Sequence, residues 1–271
     1  MERFKITALQ IPLIKDKRDI RSTIKSHLKE KTDFVILPEM FCCPYDTKAF
    51  PAYAEKEGGE TWQILSCLAK EEQVFLIAGS VPETDGDGRI YNTSYVFDRD
   101  GKKTARHRKM HLFDIDVKGG QCFRESDTLT AGDRVTVFET EFGKMGVCIC
   151  YDVRFPEMFR LMADKGAKAV FVPGAFNMTT GPAHWELTFR ARALDNQMFV
   201  LGCEPSRDAS SSYVAWGHTI LTDPWGRVVK ELDEKPGILS AEIDLTEEEN
   251  VREQLPLLRQ RRKDIYCLHE K

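Results

Sequence analysis

No run of apolar residues in this 271-residue chain approaches the roughly 20 needed to cross a bilayer, so no membrane-spanning helix is expected. The stretch Met1–Leu9 mixes charge with short apolar segments and lacks the apolar core and small-residue cleavage site of a secretory signal. No C-x-x-C pair occurs among the eight cysteines, and Cys42-Cys43 and Cys148-Ile149-Cys150 are wrongly spaced for a zinc ribbon. His107 and His111 stand four apart, but Arg108 and Lys109 lie between them where a zincin helix carries its glutamate. No metal is expected. Positive charge is not in excess either: 39 basic against 43 acidic side chains leave a formal net charge of -4, with no field to gather nucleic acid or an anionic membrane. No internal repeat, low-complexity tract or Pro/Gly/Ser linker divides the chain. These absences predict one domain over residues 1–271, in a cytoplasmic protein whose cysteines stay reduced.

What is present is an alternation of strand and helix signals. Phe4–Gln10 reads as a strand, and Asp19–Lys31 as a helix with Ile20, Ile24 and Leu28 on one face. Phe34-Val35-Ile36-Leu37 is a short all-apolar run stopped by Pro38, the pattern of a strand buried on both faces. A second cycle follows, with a helix at Glu60–Glu72, a strand at Val74–Ser80, and further strands at Thr93–Phe97 and leading toward Lys109. The later chain predicts strands at Val135–Phe138, Lys144–Cys150, Ala169–Val172, Met198–Cys203, Ala215–Thr222, Arg227–Glu231 and Gly237–Ile243. Helices are expected at Phe155–Lys165, Ala183–Asn196 and Leu245–Gln254. This order favours a layered α/β fold with mixed sheets.

In open α/β sheets ligands bind beyond the carboxyl ends of strands. Three segments lie there. Glu39 follows directly on the buried strand, Lys109 follows another, and Cys150 ends a third just before a helix. A thiol at such an elbow meets the positive end of the helix, and near neutrality it needs a base or a cation to become a nucleophile. Glu39 and Lys109 supply those residue types. Each also has a plainer reading: a packed cysteine, as for Cys148, Cys67 and Cys203, a capping glutamate, a surface lysine.

Four segments in order carry a resemblance: Leu37-Pro38-Glu39, Arg108–Phe113, Phe123–Ser126, and Cys150–Glu157. With them the sequence resembles the nitrilase superfamily, the Glu-Lys-Cys carbon–nitrogen hydrolases. Pro173–Glu186, Tyr213–His218, Asp223–Gly226 and Cys42–Tyr45 are similar to the omega-amidase branch, although Cys42-Cys43 stands where small polar residues are expected. The resemblance implies a four-layer α-β-β-α sandwich without metal or organic cofactor. It implies a homodimer or higher homo-oligomer, with the tail from about residue 245 reaching a subunit contact, and no nucleic-acid or membrane partner.

It further implies that Cys150 is the nucleophile, Glu39 the base, Lys109 and the Tyr151 backbone N–H the oxyanion donors, and Glu125 an orienting acid. The substrate would be a small dicarboxylate monoamide such as 2-oxoglutaramate or 2-oxosuccinamate. Arg154 is the candidate for its distal carboxylate, with Tyr45 and Thr179 as hydrogen-bond donors. The plainer reading of Arg154 is an ion pair with Asp152 or Glu157. His184 and His218 read as loop-positioning groups, and the basic stretch Arg259–Lys263 as a solvated or subunit-contacting segment. Two other functions fit the pattern less closely: hydrolysis of an N-carbamoyl compound, and a catalytically silent oligomeric scaffold.

Overall fold

In the computed structural model, which describes residues 2–271, the run Phe34-Val35-Ile36 forms a strand buried on both faces. Its alternation decides the architecture. Phe34 and Ile36 point one way, into a core shared with Phe171, Phe199 and Leu201 of a second sheet. Val35 points the other way, against Ile20, Ile24, Leu65 and Leu68 of two helices.

The first sheet draws on β1 (Arg3–Gln10), β2 (Phe34–Ile36), β3 (Phe75–Ile77), β4 (Val81–Thr84), β5 (Ile90–Phe97) and β6 (Lys103–Arg108). A separate hairpin follows, β7 (Asp114–Asp116) with β8 (Cys122–Arg124). The second sheet is built from β9 (Thr136–Thr140), β10 (Gly143–Val147), β11 (Ala169–Pro173), β12 (Phe199–Cys203), β13 (Ile220–Thr222) and β14 (Val228–Glu231). The last strand, β15 (Gly237–Asp244), returns to the first sheet and pairs antiparallel with β1 from Arg3↔Asp244 to Gln10↔Gly237. The sheets are mixed, since β1-β2-β3 and β10-β11-β12 run parallel while their flanks are antiparallel.

Helices α1 (Ile20–His27), α2 (Phe50–Tyr53) and α3 (Glu60–Glu72) belong to the first half, and α4 (Pro156–Asp164), α5 (Gly181–Asn196) and α6 (Thr246–Gln254) to the second. α1 and α3 cover the outer face of the first sheet. Met158, Phe159 and Met162 of α4, with Trp185 and Phe189 of α5, cover Val170, Val172 and Val200 of the second. The layers are therefore helix, sheet, sheet, helix. Each Phe or Ile sealed between the sheets contributes about 1.5–3 kcal/mol, so this inner core dominates the cohesion of the fold. No helix among the described residues is long and apolar enough to cross a membrane.

Several boundaries differ from expectation. The strand expected over Lys144–Cys150 stops at Val147, because Asp152 Oδ2 takes the Ile149 N–H (3.0 Å) and turns the chain out of the sheet. The strand expected over Ala215–Thr222 shrinks to β13, since Gly217 (φ 77°) and His218 (φ 61°) adopt left-handed backbone. The helix expected to reach Lys31 ends at His27. Residues beyond α6 lie against their own chain: Arg261 pairs with Asp164 (2.5 Å), and Glu270 pairs with Lys165 (2.6 Å) and accepts the Val135 N–H (3.0 Å).

Candidate active site

Pro38 ends β2 and delivers Glu39 to the sheet's carboxyl edge, followed by Met40 in a left-handed conformation (φ 49°). The chain passes so tightly here that a Cβ on Gly79 (φ 55°) would lie 2.1 Å from the Pro38 carbonyl oxygen. Glu39 is buried. Its Oε1 accepts from Asn92 Nδ2 (2.7 Å) and Lys109 Nζ (2.9 Å), and the Tyr45 hydroxyl lies 3.0 Å away. Its Oε2 accepts from no nitrogen or oxygen donor among the described residues, which leaves that oxygen available for a proton.

Lys109 follows β6, where its N–H donates to the Asn92 carbonyl (2.8 Å). Its ammonium bridges Glu39 Oε1 and Glu125 Oε1, each at 2.9 Å. The β7–β8 hairpin brings Glu125 back across from Lys109, and the other Glu125 oxygen is fixed by the Phe113 N–H (2.7 Å). Tyr45 closes the ring, its hydroxyl 2.6 Å from Glu125 Oε1 and 3.2 Å from Lys109 Nζ. Two carboxyls thus share one ammonium, and all three side chains are buried. Burial raises the Glu39 pKa above its ordinary value; Lys109 opposes this, while the charge on Glu125 adds to it. Burial alone would lower Lys109, yet the charges of Glu125 and Glu39 outweigh it and hold the ammonium protonated.

Cys150 is not the last residue of a strand. It opens a 3-10 helix, Cys150–Arg154, with left-handed backbone (φ 46°), a conformation costing about 1–3 kcal/mol outside glycine. Asp152 holds it there. Asp152 Oδ2 lies 2.9 Å from His107 Nε2, and Oδ1 accepts the His111 N–H (2.9 Å) and lies 2.7 Å from His111 Nδ1. Burial would raise the Asp152 carboxyl, but its bonds to His107 and His111 win and lower it well below the carboxylate range. The Cys150 sulfur accepts the Ala175 N–H at 3.5 Å. Burial and the Glu39 charge push the thiol pKa up, with Lys109 opposing. The resting group is a thiol, so it needs a base, and the same thiol is near enough to affect Glu39. The Tyr151 N–H sits in the first turn of the 3-10 helix, where N–H groups lack an intrahelical acceptor.

The structure gathers Glu39, Lys109, Glu125 and Cys150, and the Tyr45 hydroxyl joins that cluster while its ring lines the clefts beside it. Tyr45 stacks on Tyr213 (centroids 4.4 Å apart, 27° between planes). This pair stands between two clefts. One, of about 400 Å³, has Glu39, Tyr45, Ala175 and Tyr213 in its wall; the other, of about 490 Å³, is lined by Tyr45, Phe123, Met178, Thr179 and Tyr213. Arg154 lines neither. Its Nη1 lies 2.9 Å from His184 Nδ1 and its guanidinium 4.6 Å over the Phe176 ring. The ion pair with Asp152 or Glu157 does not form, because Asp152 is taken by the two histidines, and no carboxylate among the described residues lies within 4.0 Å of Arg154.

His218 stacks on Trp216, and its carbonyl accepts the Trp185 indole N–H (2.6 Å), which fixes the loop before β13. Among the described residues no three His, Cys, Asp or Glu side chains converge as metal ligands would. Asn92 and Glu204 stand in none of the segments that carry the resemblance, and Tyr213 stands in one without a role of its own. Asn92 opens the polar stretch Asn92-Thr93-Ser94 in the middle of buried β5, and Glu204 follows directly on buried β12, as Glu39 follows shortly after β2.

The profile of the carbon–nitrogen hydrolase family matches residues 5–253. Omega-amidase NIT2-A of Xenopus laevis is 50% identical over 100% of this chain and 99% of its own length. Human omega-amidase NIT2 is 46% identical over 99% of this chain and 98% of its own. Among solved structures, Saccharomyces cerevisiae Nit3, a member of branch 10 of the nitrilase superfamily, superposes with a TM-score of 0.88 at 41% identity, covering 96% of this chain and 97% of Nit3.

Proposed function

The chain belongs to the carbon–nitrogen hydrolase family, and from that premise we propose that it releases ammonia from the terminal amide of a small dicarboxylate monoamide, such as 2-oxoglutaramate or 2-oxosuccinamate, through a thioester on Cys150. The observation that carries this reading is the buried ring of Glu39, Lys109 and Glu125 beside a thiol on a left-handed elbow. It contains a base with one free oxygen, a fixed cation and a nucleophile. The similarity to two omega-amidases over nearly their whole length supports the choice of substrate.

In this mechanism Glu39 Oε2 takes the thiol proton as sulfur bonds to the amide carbon. The carbonyl oxygen becomes an oxyanion, met by the Lys109 ammonium and the Tyr151 N–H, donors of a kind worth about 3 kcal/mol each. Glu39 then gives its proton to the amide nitrogen, the C–N bond breaks and ammonia leaves. Water attacks the thioester while Glu39 takes a proton from it, and the collapse releases the acid and restores the thiol. Glu125 and Tyr45 hold Lys109 in place throughout. Arg154, which has no acidic partner among the described residues, serves as the cation for the distal carboxylate, and Thr179 contributes from the outer cleft. A second copy of the chain is expected to pack on α5, where Leu187 (69%) and Leu194 (41%) are exposed beside Trp225 (46%).

The test is ammonia release from 2-oxoglutaramate by the purified chain, set beside glutamine and N-carbamoyl amino acids. Turnover abolished in C150A, with acyl-Cys150 trapped by mass spectrometry in the parent, is the expected result. Undiminished turnover by C150A would exclude the thioester.

A further inference from the structure

Glu204 plays no part in the chemistry above, yet it is fully buried at the end of β12, beside the thiol pocket. Its Oε1 accepts the Phe176 N–H at 2.6 Å. The other edge of the same peptide unit is held as well, since the Tyr213 hydroxyl donates to the Ala175 carbonyl at 2.5 Å. On either side the Gly174 N–H donates to Cys203 O (2.8 Å) and the Trp216 N–H to Phe176 O (2.7 Å). This pinned segment is the one whose Ala175 N–H meets the Cys150 sulfur. Gly174 lets it lie close, because a Cβ there would stand 3.1 Å from Glu204 Oε1 and 3.2 Å from the Trp185 ring.

We propose that Glu204 is a positioning residue of the thiol pocket: its carboxyl fixes the Ala175–Phe176 peptide so that the Ala175 N–H stays aimed at the Cys150 sulfur. The role rests on Cys150 being the nucleophile. Glu204 performs it as an uncharged acid. No cation among the described residues lies within ion-pair distance of it, and its Oε2 is buried without a partner. The titratable groups that face it are Glu39, Cys150, Cys203 and Tyr213, none of them cationic. Burial accordingly raises its pKa well above the carboxylate range. An ionised Glu204 would oppose formation of the Cys150 thiolate, so the neutral acid supplies the hydrogen-bond acceptor without that penalty.

The test compares the full-length parent, E204Q and E204A by the rate of iodoacetamide alkylation at Cys150, read by peptide mass spectrometry across pH, and by kcat and KM. Glutamine keeps an acceptor for the Phe176 N–H; alanine removes it. In E204A, alkylation at neutral pH and kcat should both fall about tenfold with KM changed less than about threefold, the scale of one lost buried hydrogen bond. E204Q should restore both and keep the parent's alkylation midpoint, because Glu204 is uncharged as the thiol titrates. Parent-like behaviour of E204A overturns the proposal, as does an E204Q impaired like E204A. If E204A does not fold, E204Q decides alone, and a loss of about tenfold in its kcat and alkylation rate, or a midpoint moved to lower pH, overturns the proposal. Alkylation needs no amide turnover: the expected alkylation pattern without ammonia release would leave Glu204's role standing and remove the proposed substrate.

Discussion

Asp152 Oδ2 lies 2.9 Å from His107 Nε2, and this contact ties the elbow that carries Cys150 to the strand that delivers Lys109. Asp152 is two residues from the thiol and His107 two from the ammonium, so one carboxylate sets the spacing of nucleophile and cation across the two sheets.

Replacing Asp152 with Asn should therefore cost both stability and rate. The Asp152 pKa is lowered in the fold, so its stabilisation is present above the unfolded pKa of about 3.9 and is lost as pH falls toward the folded value. In urea unfolding at pH 7, D152N should lose about 3 kcal/mol, the cost of breaking a buried charged network from one side. Equal stability of parent and variant at pH 7 would contradict this.

Lys109→Met leaves Glu39 and Glu125 facing each other without their shared cation. One of them must then take a proton, and the oxyanion donor is gone. A fall in kcat of about a thousandfold is expected in the ammonia assay. A loss under tenfold would mean that the oxyanion is met elsewhere.

Tyr45→Phe removes a hydroxyl within bonding distance of Glu39, Glu125 and Lys109 but keeps the ring on Tyr213. The variant should lose about 10- to 100-fold in kcat with little change in KM. A rise in KM alone would move Tyr45 from the catalytic ring to the substrate surface.

Arg154→Met should raise KM for dicarboxylate monoamides about tenfold or more, on the scale of a charge-assisted hydrogen bond, and leave simple aliphatic amides nearly unaffected. Parallel effects on both substrate classes would assign Arg154 to holding Phe176 and His184 in place.

Away from the site, Glu248 in α6 is buried against Arg252, and burial raises its pKa to about 7. A raised pKa stabilises the fold fully below the unfolded value of about 4.3, and that contribution disappears as pH climbs through 7. E248Q should flatten the stability profile between those limits and equal or exceed the parent at pH 8, by something on the order of 2 kcal/mol. A parent and variant with parallel pH profiles would show that Glu248 titrates normally.

Much of this was legible in the sequence, and the parts that were not share a cause. Phe34-Val35-Ile36 announces a strand covered on both faces, and an acid placed straight after its proline points to Glu39. Local pattern sets Cys150, at the strand-to-helix elbow, apart from Cys148 within the strand, but it does not show the left-handed turn at Cys150, which is held by histidines some 40 residues away in sequence. The role of nucleophile rests on the family resemblance. The meeting of Lys109 with Glu125 depends on a hairpin of two three-residue strands, Asp114–Asp116 and Cys122–Arg124, too short and too exposed to leave a period. Glu204 carries a strand-end signal like that of Glu39 but stands in no motif that singles it out.

The pairing of β15 with β1 sets an order of events for the nascent chain. Until Gly237–Asp244 has left the ribosome, β1 offers an open edge beside β2, and the strand that delivers Glu39 belongs to an incomplete sheet. Such distant closure slows folding and prolongs the exposure of sticky edges. Translation stalled before residue 237 should therefore yield a product that aggregates or is held by chaperones, never a partial enzyme.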